Sequence, residues 1–204
     1  MENIKLELID EKYRQYVFEL LSRLEEHSKE SYEHSLDVAE KSLALAFALG
    51  IDGDDLRRLY VASLLHDVGK LFIESDLLHK QNATDEEREM IRFGHIQGTK
   101  QILEDVFDDE IVKIAFNHHE RLDGSGYPDH FRARKLDVLD RILQVADVTS
   151  ALIMSRSYKD ALAAEQVIEI LDKLVKSGEL DKKCVAEIER IFLIPLSGKK
   201  QPIL

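Results

Sequence analysis

The side chains of this chain that can do chemistry are imidazoles and carboxylates, and several stand in settings that call for a partner. His66 and Asp67 are adjacent at the end of an apolar run, in LLHDVGK. His118 and His119 are adjacent in NHHERLDGSGYP, His34 sits within EHS, and His95 stands beside a glycine in FGHIQG. Asp147 lies inside the apolar stretch ILQVADV, where a charge is costly to bury unless it is paired or bound to metal. Taken singly, each has an ordinary reading. A lone His on a helix is usually a surface or hydrogen-bonded residue, and a buried Asp is usually paired with an Arg. Taken together, the set points to a metal site. His27, His79 and His130 have no comparable setting and read as surface residues.

Imidazole and carboxylate ligands together suit first-row cations such as iron, manganese, nickel or zinc. An adjacent His-Asp pair serves two metals when its carboxylate bridges them. Two metals a short distance apart can clamp the attacking and leaving oxygens of a phosphoryl transfer, and they lower the pKa of bound water. A closed structural site needs fewer ligands and keeps no open position.

The elements that must position these groups are helical. Tyr13, Tyr16, Val17, Leu20, Leu21 and Leu24 recur at helical spacing, as do Tyr32, Val38, Ala39, Leu43 and Ala46, with Gly50 as a stop. A third helix runs through Leu56, Leu59, Tyr60 and Leu65 and ends near Gly69. Thr84 and Glu87 form a capping-box pattern at the start of a fourth, which Gly94 is expected to interrupt before His95. Ile111, Ile114 and Ala115 lead into His118. The stretch Arg121–Arg134, with Gly124, Gly126 and Pro128, reads as the longest loop, where function often resides. Helices follow over Val138–Met154, Ala164–Lys176 and Asp181–Ile194. The expected fold is all-α, a helical bundle with ligands projecting inward from several helices. The expected organisation is an N-terminal helical extension over 1–28, a catalytic domain over 29–196 and a flexible tail over 197–204.

Composition narrows the function. The 204 residues fit one domain, and a net charge of -12 argues against binding a nucleic-acid polymer, though not a small phosphorylated ligand. Cys184 is the single cysteine, so no intrachain disulfide forms. No segment reaches the length of a membrane span and no leader pattern opens the chain, which reads as cytoplasmic.

HDxGK followed in order by HHExxDGxGYP resembles the HD-GYP branch of the HD phosphohydrolase superfamily, a set of bacterial cyclic di-GMP phosphodiesterases that act in signalling. The resemblance covers about Glu30 to Leu171 and implies specific roles. His66 and Asp67 would be central ligands, with Asp67 bridging two metals. His34 and Asp147 would complete one site, and His95, His118 and His119 would supply the second metal. Glu30, four residues before His34, matches a ligand that some members use for a third metal. Lys70 matches a lysine that stabilises charge on the phosphate or assists the leaving group. Tyr127 is expected near the ligand, and Arg156 and Lys159 match a basic pair that holds phosphate or guanine. Two or three divalent cations are implied, iron or manganese first, then zinc or nickel. The implied reaction is in-line hydrolysis to a linear dinucleotide, then to mononucleotides. A homodimer or a signalling protein is the expected macromolecular partner.

The chain also departs from that pattern. Ile73-Glu74 stands where an Ile-Pro pair is usual, and Ser150 stands three after Asp147, where an acidic residue is common. Two other functions stay open: hydrolysis of another nucleotide or cyclic dinucleotide, and binding of cyclic di-GMP without turnover. The glycines and Asp123 read as residues that shape the loop, and Glu120 and Arg121 as supporting or helix-end residues.

Overall fold

The computed structural model describes residues 4–154 and 162–196, so Arg156, Lys159 and the tail lie outside the described residues. The described chain is helical: α1 Glu11–His27, α2 Lys29–Ala48, α3 Gly53–Leu65, α4 Ser75–Leu78, α5 Asp85–Leu103, α6 Asp109–Phe116, α7 Val138–Ile153, α8 Ala164–Lys176 and α9 Lys182–Ile188. A 3-10 turn over Val68–Phe72 follows α3, and a π turn over Glu189–Leu193 extends α9. Among the described residues the extended backbone pairs only at one bridge, Asp123 with Arg132.

Local chemistry sets the helix ends. The Ser28 hydroxyl accepts from the Ser31 amide and starts α2. Thr84 and Glu87 make both bonds of a capping box at α5, and Asp137 and Asp140 do the same at α7. Gly50 adopts φ 75° just past α2, a conformation that suits glycine at a helix end. The expected break at Gly94 does not occur, because α5 runs unbroken from Asp85 to Leu103. One glycine costs a helix only about 1 kcal/mol. Here its missing Cβ makes room for Ile73, whose Cδ1 would lie 2.9 Å from that atom. The third helix also ends earlier than expected, at Leu65, and the chain tightens directly into the 3-10 turn.

One core joins these elements. Leu21 of α1, Val38 of α2, Leu59 of α3, Ile114 of α6, Ile142 of α7 and Ile188 of α9 are all fully buried within it. Burying each such side chain contributes about 1.5–3 kcal/mol. α2 packs on both α3 and α7, and α5 lies across the 3-10 turn. That last crossing has almost no clearance. A Cβ on Gly69 would stand 1.8 Å from the His95 carbonyl oxygen and 2.3 Å from the Thr99 amide. Thr99 completes the junction: its hydroxyl donates to the His66 carbonyl at 2.9 Å and accepts from the Gly69 amide at 2.9 Å.

Gly69→Ala must push α5 away from the turn. The expected loss in urea denaturation is about 3 kcal/mol, and a loss under about 0.5 kcal/mol would refute the crossing. A second expectation concerns Glu189 in the π turn. Burial, aided by Asp172, raises its pKa from 4.5 to about 7, and Oε1 has no hydrogen-bond partner among the described residues. The folded state therefore favours the protonated acid. That contribution is complete below pH 4.5 and disappears as pH rises through about 7. Glu189→Gln should gain on the native protein in stability as pH is raised from 5 to 8, and a pH-independent difference would contradict this.

Candidate metal centre

Five elements converge on one buried cluster. α2 carries His34, the end of α3 carries His66 with Asp67 beside it, α5 carries His95, and α7 carries Asp147. His118 and His119 follow the end of α6. His34, His66, His95, His118, Asp67 and Asp147 are buried, and His119 is half-buried. These atoms form two groups able to hold a divalent cation: His34, His66 and Asp67 in one, and His95, His118 and His119 in the other.

The backbone fixes three of the rings. His66 Nδ1 lies 2.8 Å from the Ser63 carbonyl, His95 Nδ1 2.5 Å from that of Ile91, and His118 Nδ1 2.6 Å from that of Ala115. A carbonyl only accepts, so each Nδ1 carries a proton, and in the neutral ring each Nε2 presents a lone pair. Those three Nε2 atoms are buried and without a hydrogen-bond partner. Buried polar atoms are rarely left so. A ring whose far nitrogen is held by a carbonyl is the usual form of a metal-ligating histidine.

Asp67 lies between the groups. Its Oδ2 stands 3.4 Å from His66 Nε2 and 4.0 Å from His34 Nε2. Its Oδ1 stands 3.7 Å from His95 Nε2 and 3.9 Å from His118 Nε2. These gaps are too long for hydrogen bonds. Ligand atoms about 2.1 Å from a shared cation stand roughly 3.0–3.5 Å apart, close to the spacing seen. Asp147 reaches both groups as well, with Oδ1 2.9 Å from His34 Nε2 and Oδ2 3.6 Å from His119 Nδ1. Residues of this kind in this arrangement fit divalent metal ions.

Electrostatics agree with ligand chemistry. Burial lowers the pKa values of His34, His95 and His119, and burial with the nearby charge of His66 lowers that of His118 to about 3. Burial opposes charge on His66 too, but Asp67 raises its pKa. Burial also opposes charge on Asp67 and Asp147. Lys70 and His66 nonetheless hold Asp67 well below the usual carboxylate range, and His34 and His119 do the same for Asp147. Most of the imidazoles are thus neutral and both carboxylates ionised near pH 7, the forms that bind metal.

The cluster opens on one side into a cavity of about 500 Å³. Lys70, Tyr127 and Glu30 stand in its wall beside His34, Asp67, His95, His119 and Asp147. Lys70 Nζ donates to Asp67 Oδ2 at 2.6 Å. The Tyr127 ring centroid is 4.8 Å from that of His119. Glu30 belongs to neither ligand group, and its carboxylate lies 4.0 Å from His79 Nδ1. His79, expected at the surface, is partly exposed and stands at the cavity wall.

The loop after His119 is held from within. Glu120 is fully buried and accepts from the amides of Asp129 at 2.7 Å and Phe131 at 2.9 Å. Asp123 accepts from the Ser125 amide and hydroxyl. Gly126 packs so closely on Glu120 that a Cβ there would stand 2.5 Å from its backbone. Sequence reasoning noted Ser150 only as a departure and passed over Arg88 and Arg92. Ser150 Oγ is 2.9 Å from His34 Nδ1, so the departure from an acidic residue still supports a ligand-bearing ring. Arg88 and Arg92 line the cavity, and their i, i+4, i+7 spacing with His95 was the available signal.

Comparison with known proteins follows the same lines. Residues 17–184 match the model of the HD domain family. The chain is 35% identical over 164 residues to 3'3'-cGAMP-specific phosphodiesterase 1 of Vibrio cholerae, covering 80% of this chain and 38% of that protein. It is 30% identical over 182 residues to a cyclic di-GMP phosphodiesterase of Thermotoga maritima, covering 86% of this chain and 49% of that protein. The chain thus spans less than half the length of either relative. The HD domain of the L. monocytogenes phosphodiesterase PgpH superposes with a TM-score of 0.66 at 18% identity, over 88% of this chain and 97% of that one. No helix among the described residues is long and apolar enough to cross a membrane. With an all-helical bundle closed around buried His and Asp groups and a family match over most of its length, the chain belongs to the HD domain family.

Proposed function

We propose that this chain is a metal-dependent phosphodiesterase of cyclic dinucleotides, of the HD-GYP type, and that it opens cyclic di-GMP to the linear dinucleotide and then to GMP. The observation that carries the reading is Asp67, which turns one carboxylate oxygen toward each histidine group. In this reading His34, His66, Asp67 and Asp147 hold one ion. His95, His118 and His119, with Asp67, hold the second. Glu30, one helical turn before His34 and in the cavity wall, is the ligand for a third. Iron or manganese suits the mixed nitrogen and oxygen set, with zinc or nickel as alternates. Bound there, such ions supply Lewis acidity toward the phosphate and hydroxide near neutral pH.

The chain's own residues do the rest. Lys70 holds its ammonium at the cavity wall and stabilises negative charge that develops on the phosphate. Tyr127, held by the loop that Glu120 anchors, offers an aromatic wall to a base or ribose. Arg156 and Lys159, outside the described residues, retain the proposed role of holding phosphate or guanine. The relatives' names support a cyclic dinucleotide as the substrate class. The Vibrio cholerae relative's name favours one second reading, 3'3'-cGAMP as the substrate. Non-hydrolytic binding is the weaker reading, because each ligand position that the resemblance requires is filled.

The test is to purify the protein anaerobically, load it in turn with iron, manganese or zinc, and separate the products formed from cyclic di-GMP and 3'3'-cGAMP. Linear dinucleotide from cyclic di-GMP, absent with Asp67→Ala, is the expected result. Full metal loading without product from either nucleotide would end the phosphodiesterase reading. Asp67→Ala should also lose bound metal, because it removes an oxygen from both groups, and undiminished metal content would dissolve the bridging role. Lys70→Met should keep its metal while kcat falls about 100-fold. An unchanged kcat would remove Lys70 from the chemistry.

A further inference from the structure

A cyclic dinucleotide carries two phosphodiesters, and a metal centre engages one at a time. The other keeps its charge one nucleotide away and needs cations of its own. The cavity wall supplies four Lys and Arg side chains in a chain of net charge -12: Lys70, Lys80, Arg88 and Arg92. Two of them already face a carboxylate, and Lys70 stands at the metal groups, where the reacting phosphate would lie. Lys70 pairs with Asp67 at 2.6 Å, and Lys80 pairs with Glu87 at 2.7 Å. Arg88 donates from Nε to the Ala83 carbonyl at 3.0 Å, which orients it without cancelling its charge. The Arg92 guanidinium lies 4.5 Å from the centroid of the Tyr127 ring. Among the described residues, neither arginine forms an ion pair with a carboxylate.

Both arginines share a helix face with a proposed metal ligand. His95, Arg92 and Arg88 follow one another on α5 at spacings of three and four residues, one turn apart each time. With about 1.5 Å of rise per residue, Arg92 stands about 4.5 Å and Arg88 about 10 Å along the axis from His95. The row leads from the metal groups outward along the wall. Contact with Tyr127 holds one guanidinium at the cavity wall, and the paired N–H donors of an arginine suit the two free oxygens of a phosphodiester.

We propose that Arg92, backed on Tyr127 and assisted by Arg88, forms the subsite for the second, non-reacting phosphate of a cyclic dinucleotide. The inference rests on the proposed substrate class. It assigns to α5 a binding role separate from that of Arg156 and Lys159. It also assigns Arg92 to substrate affinity rather than to chemistry.

The test compares the manganese-loaded native protein with Arg92→Gln and Arg92→Lys. It measures metal content, equilibrium binding of cyclic di-GMP, and kcat and KM on the same nucleotide. Arg92→Gln should retain its metal, weaken binding and raise KM by about tenfold, with a smaller change in kcat, and Arg92→Lys should recover part of the loss. Loss confined to kcat, or binding within twofold of native, would overturn the subsite while leaving the phosphodiesterase reading intact. If the native protein binds cyclic di-GMP without cleaving it, and Arg92→Gln abolishes that binding, the subsite stands and the catalytic reading fails. If the native protein neither binds nor cleaves it, both fail.

Discussion

Placing an ionised carboxylate in the middle of a helical bundle is the constraint around which this molecule is organised. Asp67 is almost completely buried, and burial alone would push it toward the neutral acid. What keeps it charged is first the local pair Lys70 and His66, and then imidazoles drawn from distant parts of the chain. His34 and His95 lie on different helices, and His118 comes from the segment after α6. These three cannot approach Asp67 unless the helices behind them are already packed. Core burial and site geometry are therefore two aspects of one folding event. A change that loosens α2 against α3 or α7 degrades the cluster without touching it.

Three of the histidines show how little freedom the site keeps. Each gives its Nδ1 proton to a carbonyl three or four residues back in its own chain. The tautomer and direction of these rings are thus decided within a single turn, before any long-range contact forms. The tertiary fold has only to bring the turns together. Asp147 and His34 are settled differently, through hydrogen bonds across 113 residues, and depend on the α2–α7 interface.

Much of this was legible in the sequence, for identifiable reasons. The helices could be read because their apolar residues recur with a helical period, and the α5 capping box because Thr84 and Glu87 declare it locally. His66, Asp67, His118 and His119 stood out because adjacent chemistry-bearing residues at the end of apolar runs are hard to explain as packing. Gly94 misled, since glycine signals a helix stop only when nothing compensates, and the compensating Ile73 side chain comes from another segment. His79 read as a surface residue, and nothing nearby in the chain reveals that it stands 4.0 Å from Glu30 at the cavity wall. Ser150 stood out only as a departure from an acidic residue, and only the fold reveals its bond to His34. In each case the missing information was a contact between distant residues, which no local pattern encodes.

The crossing of Gly69 and α5 has a wider consequence. α5 is one continuous rod pinned at that crossing, and the same rod bears a histidine of the cluster and, further along the same face, the cationic wall of the cavity. A rigid lever of this kind cannot shift one end independently of the other. With the roles proposed for His95, Arg88 and Arg92, a tilt of α5 would alter cation retention and ligand capture in concert rather than separately.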